Sequence, residues 1–278
     1  MPEGDTIFRT ASTLHRALAG QSVSKFTSVF PKLNRIDEGS PIAGRTVERV
    51  EARGKWLLMH FSGDLILLTH MLMNGSWHIY RPGERWKRRR DDMRVRIETP
   101  KIIAVAFRIQ VAEFHTEASL ERRRGFNQLG PSLLADKFNP PEAAARLRLL
   151  ANEEIGEALL NQTVVAGIGN VYKSEICFAC GVNPFRLVES LSMAETMCLM
   201  TTAREFMQAN VTSASGDRVA TYKGMRRTTR YSDPAEALWV YRRRGDPCRK
   251  CGTPIEARKQ GLDARTTFWC PVCQPDQK

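Results

Sequence analysis

No stretch of this sequence is apolar for more than a few residues; runs such as 56–59 and 65–68 fall far below the ~18 needed to cross a bilayer. No membrane span is expected. The opening Met-Pro-Glu-Gly-Asp has no apolar h-region, which argues against a secretory signal and makes a cytosolic setting the expectation. Internal repeats and low-complexity tracts are missing as well. Acidic residues are in deficit: 30 Asp plus Glu face 42 Lys plus Arg, a formal charge of +12. A surplus of that size points to nucleic acid, because no basic amphipathic anchor stands out to favour a membrane surface. At 42% hydrophobic residues the 278-residue chain can bury a real core, and its length predicts about two domains at roughly 150 residues each.

Ile7, Ala11, Leu14 and Leu18 recur at helical spacing, with Asp5 available as an N-cap. From about residue 46 the texture changes to short runs at 47–52, 55–61, 65–71, 94–98 and 102–109. They are separated by Arg53-Gly54, Ser62-Gly63-Asp64 and Pro100, which reads as strands and hairpin turns. Alternation of apolar and charged residues over 93–98 fits a sheet with one wet face, so an antiparallel sandwich or barrel is expected. Beyond the charged stretch 121–128, helical patterning runs through 157–160, 170–178 and 193–208, broken by glycine turns. Residues 213–233, rich in Arg, Lys, Thr and Ser, read as a mobile basic loop.

Seven cysteines is an odd number, and in the reducing compartment expected here they read as metal binding rather than a disulfide framework. Four of them form Cys248-x2-Cys251 and Cys270-x2-Cys273, two knuckles whose separation suits a hairpin that closes a tetrahedral thiolate site. A closed four-cysteine shell leaves no open position for water, so the implied Zn2+ is structural, one per chain. Cys177 and Cys180, three apart on a helix, are expected to pack in the core. The hairpin between the knuckles offers Arg258, Lys259 and Arg265 for a phosphate or for solvent. The segment Gln162-Thr163-Val164-Val165-Ala166-Gly167-Ile168-Gly169-Asn170-Val171-Tyr172 suggests a helix-turn-helix whose backbone can approach phosphate; Asn170 either caps the following helix or reaches a ligand.

Three of these stretches together resemble the Fpg/Nei family of bacterial DNA glycosylases: the opening Pro2-Glu3-Gly4-Asp5-Thr6, the 162–172 segment, and the ribbon from Pro247-Cys248-Arg249-Lys250-Cys251-Gly252 to Cys273. The resemblance spans nearly the whole chain. Pro-Glu-Gly-Asp is similar to the endonuclease VIII (Nei) branch, whereas the formamidopyrimidine branch typically begins Pro-Glu-Leu-Pro-Glu.

The resemblance implies an α+β fold: an N-terminal helix plus antiparallel β-sandwich at 1–125, a helical helix-two-turn-helix module at 126–243, and a zinc ribbon at 244–278, with DNA in the cleft. It implies a bifunctional glycosylase and abasic-site lyase, acting as a cytoplasmic monomer on damaged double-stranded DNA. Oxidised bases, pyrimidines ahead of purines, would be excised and the strand cut by β,δ-elimination. Once Met1 is removed, Pro2 would present a secondary amine, and an α-amine titrates near ~8 rather than the ~10.4 of lysine, so it is a ready nucleophile. Glu3 would supply acid/base help, Lys55 a proton or a phosphate contact, and Arg265 a phosphate contact and a part in the δ step. Asn170 and His70 would touch DNA. Met73, in the loop His70-Met71-Leu72-Met73-Asn74-Gly75, would wedge into the stack left by a flipped nucleotide, the alternative being a core methionine. That loop departs from the Gln-Leu-Tyr wedge of the Nei branch. The run Arg85-Trp86-Lys87-Arg88-Arg89-Arg90 would track phosphates or serve as a solvated face. Two rivals stand beside this reading: a formamidopyrimidine-type glycosylase for oxidised purines, and a non-catalytic zinc-ribbon DNA-binding protein.

Overall fold

In the computed structural model, which describes residues 2–212, 226–229 and 233–276, the apolar stripe Ile7, Ala11, Leu14 and Leu18 is buried along one face of helix α1 (Gly4–Leu18). Each large side chain on that stripe contributes about 1.5–3 kcal/mol by leaving water. The helix begins earlier than the pattern predicts, with Glu3 as N-cap; Asp5 lies inside the first turn, buried and paired with Arg9 at 3.8 Å.

The stripe packs on two four-stranded antiparallel sheets. One runs β2 (Val47–Arg53), β3 (Trp56–Phe61), β4 (Leu65–His70), β8 (Val111–His115); the other runs β1 (Lys25–Ser28), β6 (Met93–Glu98), β7 (Ile103–Phe107), β5 (Ser76–Tyr80). Val47, Leu57, Met59 and Leu67 from the first meet Trp77, Val95, Ile97 and Ala106 from the second in one core, so the sheets form a sandwich. The short helix α2 (Pro31–Gly39) and the strands β1, β5 and β8 carry weak sequence signals and were not anticipated. Helix α3 (Glu117–Glu121), capped by Thr116, follows β8. These elements make up one unit, through residue 127.

The second unit starts at residue 128 and contains helices α4 (Pro140–Arg148), α5 (Ile155–Ala158), α6 (Asn170–Ala179) and α7 (Met193–Thr212), then the hairpin β9 (Glu256–Gln260) and β10 (Arg265–Trp269). Leu147, Ile155, Val165, Ile168, Tyr172, Leu199 and Ala203 form its core. The ribbon has its own small cluster of Val240, Ile255 and Cys270, which reaches α6 through Phe178. Most of the basic loop expected at 213–233 lies outside the described residues. No helix among the described residues is long and apolar enough to cross a membrane.

Candidate active site and nucleic-acid interface

Pro2 is half-buried and immediately precedes a glutamate with 0% exposure. Glu3 gives its carbonyl to the Ile7 N–H at 3.0 Å, but its side chain does not cap the helix. A carboxylate wholly withdrawn from water is not what an ordinary helix start requires, because a capping acid is satisfied at the surface. Met1 lies outside the described residues.

Strands β2 and β3 are joined by the two-residue turn Gly54-Lys55, with Arg53 opposite Trp56. Gly54 at φ 60° takes the first turn position, where a left-handed backbone is required, and Lys55 sits at the tip rather than in the strand. Around it lies an assembly that sequence reasoning missed. The Trp56 ring meets His70 edge-on at 4.7 Å, and the Arg123 guanidinium lies 4.3 Å from the Trp56 ring centre. Arg123 in turn donates twice to Glu113, at 2.6 and 3.1 Å, which holds the Glu113 carboxyl down near about 2. Within Arg122-Arg123-Arg124 nothing in the sequence distinguishes the middle arginine, since its partners come from β3 and β8.

His70 follows from the same geometry. Burial first, then the charges of Lys55 and Arg123, lower its pKa to about 4, and its Nδ1 accepts the Leu72 N–H at 3.0 Å. The ring is therefore neutral, with its proton on Nε2. That hydrogen bond anchors a loop in which Leu72 adopts φ 48°, uncommon for a side chain with Cβ. Gly75 closes the loop by donating to Met71 O at 2.8 Å; a Cβ on Gly75 would stand 2.5 Å from that oxygen, so only glycine fits. Held this way, Met73 is 62% exposed, which overturns the alternative of a core methionine. Leu72 beside it is exposed as well. The basic run 85–90 is pinned by Trp86, which stacks on Tyr80 and meets Phe107 edge-on, while Arg85 and residues 87–90 stay exposed.

In the second unit Gln162 organises the loop between α5 and α6: its Oε1 accepts the Gly167 N–H, and its Nε2 donates to the carbonyls of Leu160 and Ile168. Asn170 is the first residue of α6, and its side chain does not cap the helix. Its Nδ2 donates instead to Thr266 O at 2.8 Å, while its Oδ1 is buried without a hydrogen-bond partner. One turn on, Lys173 has 0% exposure, faces Glu157 at 3.7 Å and donates to Gln260 Oε1 at 3.4 Å. Burial lowers the Lys173 pKa to about 8 although Glu157 pulls it back up. Gln260 also accepts from Thr267 at 2.6 Å and donates to Glu154 and Pro184 O. The turn end of the hairpin that carries Arg265 is thus clamped to α6. Glu175, also buried, accepts the N–H groups of Trp239, Val240 and Tyr241, as well as the Thr228 hydroxyl, fixing the approach to the ribbon.

The sulfurs of Cys248, Cys251, Cys270 and Cys273 all lie within 4.8 Å of one another, with 3.5 Å between Cys251 and Cys270 and 3.9 Å between Cys248 and Cys273. A tetrahedron of about 2.3 Å Zn–S bonds has edges of about 3.8 Å, so the set fits zinc. Backbone N–H groups of Lys250 and Cys273 point at Cys248 and Cys270 Sγ, as in knuckles that present thiolates. Cys177 is buried and free, as expected, whereas Cys180 departs from the expected core packing: it forms a disulfide with Cys198, joining the end of α6 to α7. The Cys198 partner lies eighteen residues away, with no spacing motif to mark it.

Three family profiles match consecutive stretches of the chain. They are the formamidopyrimidine-DNA glycosylase N-terminal domain over 1–118, the formamidopyrimidine-DNA glycosylase H2TH domain over 129–221, and the zinc finger found in FPG and IleRS over 245–275. A helix-backed sandwich, a two-turn helical module and a four-cysteine ribbon in this order define a DNA glycosylase. The chain belongs to the Fpg/Nei family. It is 39% identical to "Probable endonuclease 8 2" of Streptomyces coelicolor, over 99% of this chain and 94% of that one. It is 33% identical to "DNA-(apurinic or apyrimidinic site) lyase Nei2" of Mycolicibacterium smegmatis, over 99% of each. The fold matches that of the Lactococcus lactis Fpg in a complex with DNA containing an abasic site. That match has a TM-score of 0.82 at 20% identity and covers 99% of this chain and 100% of that one.

Proposed function

We propose that this protein is a bifunctional DNA glycosylase and abasic-site lyase of the Nei branch that works through Pro2. The observation that carries this reading is the fully buried Glu3 beside the half-exposed Pro2, a pair that helix capping does not explain. Freed of Met1, the Pro2 nitrogen attacks the sugar C1′ and the damaged base leaves. The resulting iminium acidifies the C2′ hydrogens and so opens β-elimination. Glu3, desolvated and next to that nitrogen, handles the proton on the opening sugar ring. Lys55, displayed on its two-residue turn, binds the lesion phosphate or delivers a proton. Neutral His70 offers Nε2–H to the backbone and fixes the loop whose Met73 fills the vacated stack.

In the second unit Asn170 and Arg265 hold phosphate, and Arg265 assists the δ step. Zinc, bound by the four cysteines, supplies rigidity to the hairpin and takes no part in the chemistry. The partner is damaged duplex DNA, read by a monomer through a strongly basic surface. The exposed Met73 wedge supports one rival: it resembles the formamidopyrimidine branch, which shares every catalytic residue named here. Duplexes carrying an oxidised pyrimidine or an oxidised purine, each opposite all four bases, separate the two. Faster excision of the pyrimidine supports the Nei reading, and faster excision of the purine overturns the substrate class. Strand cleavage of an abasic duplex that is unaffected by Pro2→Gly would remove the assigned nucleophile.

A further inference from the structure

The hairpin that carries Arg265 turns through Gly261, Leu262, Asp263 and Ala264, closed by the Ala264 N–H on Gly261 O at 3.0 Å. Ala264 takes a left-handed backbone, φ 48°, which brings the chain back so that Asp263 and Arg265 lie on the same side of the tip. An aspartate in a turn commonly satisfies nearby backbone N–H groups. Here its hydrogen bonds go to Arg265 instead: Nε and Nη2 of the guanidinium both donate to Asp263 Oδ2, at 3.2 and 3.0 Å. The pair is at the surface, with the aspartate 69% and the arginine 36% exposed. An ion pair in that position adds little to folding stability. What it does control is the arginine: one edge of the planar guanidinium is fixed, and Nη1 with the outer Nη2 proton is left facing away from Asp263, the fork that suits a phosphate.

Below the tip the first strand pair is held on both sides. Arg265 pairs in register with Gln260, whose side chain is held by Thr267, Glu154, Pro184 O and Lys173. Asn170 fixes the next residue, Thr266. The strand positions the Arg265 backbone, and Asp263 is the group that fixes its side chain.

We infer that Asp263 is a positioning residue for Arg265, orienting the guanidinium through its Nε edge for the phosphate it must hold in the δ-elimination step. This rests on the reading of Arg265 given above. The same carboxylate also stands close to the incoming phosphate and repels it, so its removal moves binding and chemistry in opposite directions. A residue of merely structural importance would move both the same way.

The test is single-turnover cleavage of an abasic-site duplex by the zinc-loaded full chain, with β and β,δ products separated, alongside duplex affinity for Asp263→Ala, Asp263→Asn and Arg265→Gln. In Asp263→Ala the duplex should bind about two- to fivefold tighter at low salt, while the δ-product yield falls about threefold or more. Asp263→Asn keeps an acceptor for Nε and Nη2 without the charge; it should bind as tightly as Asp263→Ala and retain the δ yield. An undiminished δ yield in Asp263→Ala overturns the inference, and so do equal losses in both variants, which would make charge rather than orientation the agent. Arg265→Gln separates the two levels of the argument: a lost δ step there with none lost in Asp263→Ala sinks only the role of Asp263. A wild-type δ step in Arg265→Gln sinks the reading of Arg265, and the role of Asp263 with it.

Discussion

Nδ2 of Asn170 donates to the Thr266 carbonyl at 2.8 Å, so the first residue of α6 is stitched to the strand that carries Arg265. Replacing Asn170 by Ala leaves a part-buried carbonyl without its donor at a cost of about 1 kcal/mol. Asn170→Asp goes further, because a carboxylate would face that carbonyl and repel a phosphate. Melting temperature and abasic-duplex affinity should both fall in the order wild type, Ala, Asp. Wild-type values for Asn170→Asp would refute the contact and the phosphate role together.

Lys173 titrates at about 8 in the folded protein, against its ordinary 10.5 when exposed. Below pH 8 both states carry the proton, and the full cost of burying the ammonium is present. Between pH 8 and 10.5 the unfolded chain binds more protons than the native one, so this group makes stability rise with pH. Cys177, pushed up to about 12 by burial, works in the opposite sense above pH 9, so the informative window is pH 8 to 9. Across it the unfolding free energy of wild type should rise relative to that of Lys173→Met. Parallel curves would contradict the lowered value.

His70 should titrate near pH 4 with its proton on Nε2 at neutrality, both readable by nitrogen-detected NMR. Its folded value lies below the unfolded one of about 6.5, so its share of stability is intact above pH 6.5 and is lost as pH falls from there towards 4. Cleavage between pH 5 and 8 should show no inflection from this ring. A midpoint near 6.5 would contradict the burial of the ring beside Lys55 and Arg123.

Met73→Ala shortens the exposed wedge. Excision of a damaged base from duplex DNA should slow by about tenfold, since an emptied stack forfeits contact energy. Cleavage of an abasic site in single-stranded DNA, where there is no stack to fill, should be nearly unchanged. Equal slowing of both would deny Met73 the role of wedge.

Much of this was legible in the sequence because the signals are local. The α1 stripe depends on spacing alone, and so do the two C-x-x-C knuckles. Pro2 and Glu3 are different: spacing reads them as a helix start, and the family resemblance alone suggested chemistry, to which the full burial of Glu3 now lends support. What stayed hidden joins residues far apart in the chain. Arg123, beyond α3, meets Trp56 of β3 and Glu113 of β8, Lys173 meets Gln260 across 87 residues, and the Cys180 disulfide depends on where α7 packs. Strand β5 was missed because both of its faces are buried, Trp77 in the sandwich core and His78 and Tyr80 under the Trp86 loop, which erases the alternation that marks a half-wet strand. Asn170 looked like a helix cap because caps depend on local sequence, whereas its partner Thr266 lies 96 residues away.

The central claim is that the amino-terminal proline is the nucleophile, and borohydride trapping tests it most directly. Protein checked by mass for loss of Met1 is mixed with a labelled abasic duplex and reductant, and the adduct is digested and sequenced. A covalent DNA adduct on the Pro2 nitrogen, absent from protein that retains Met1, is the predicted result. An adduct on a lysine, or none while the duplex stays bound, would contradict it.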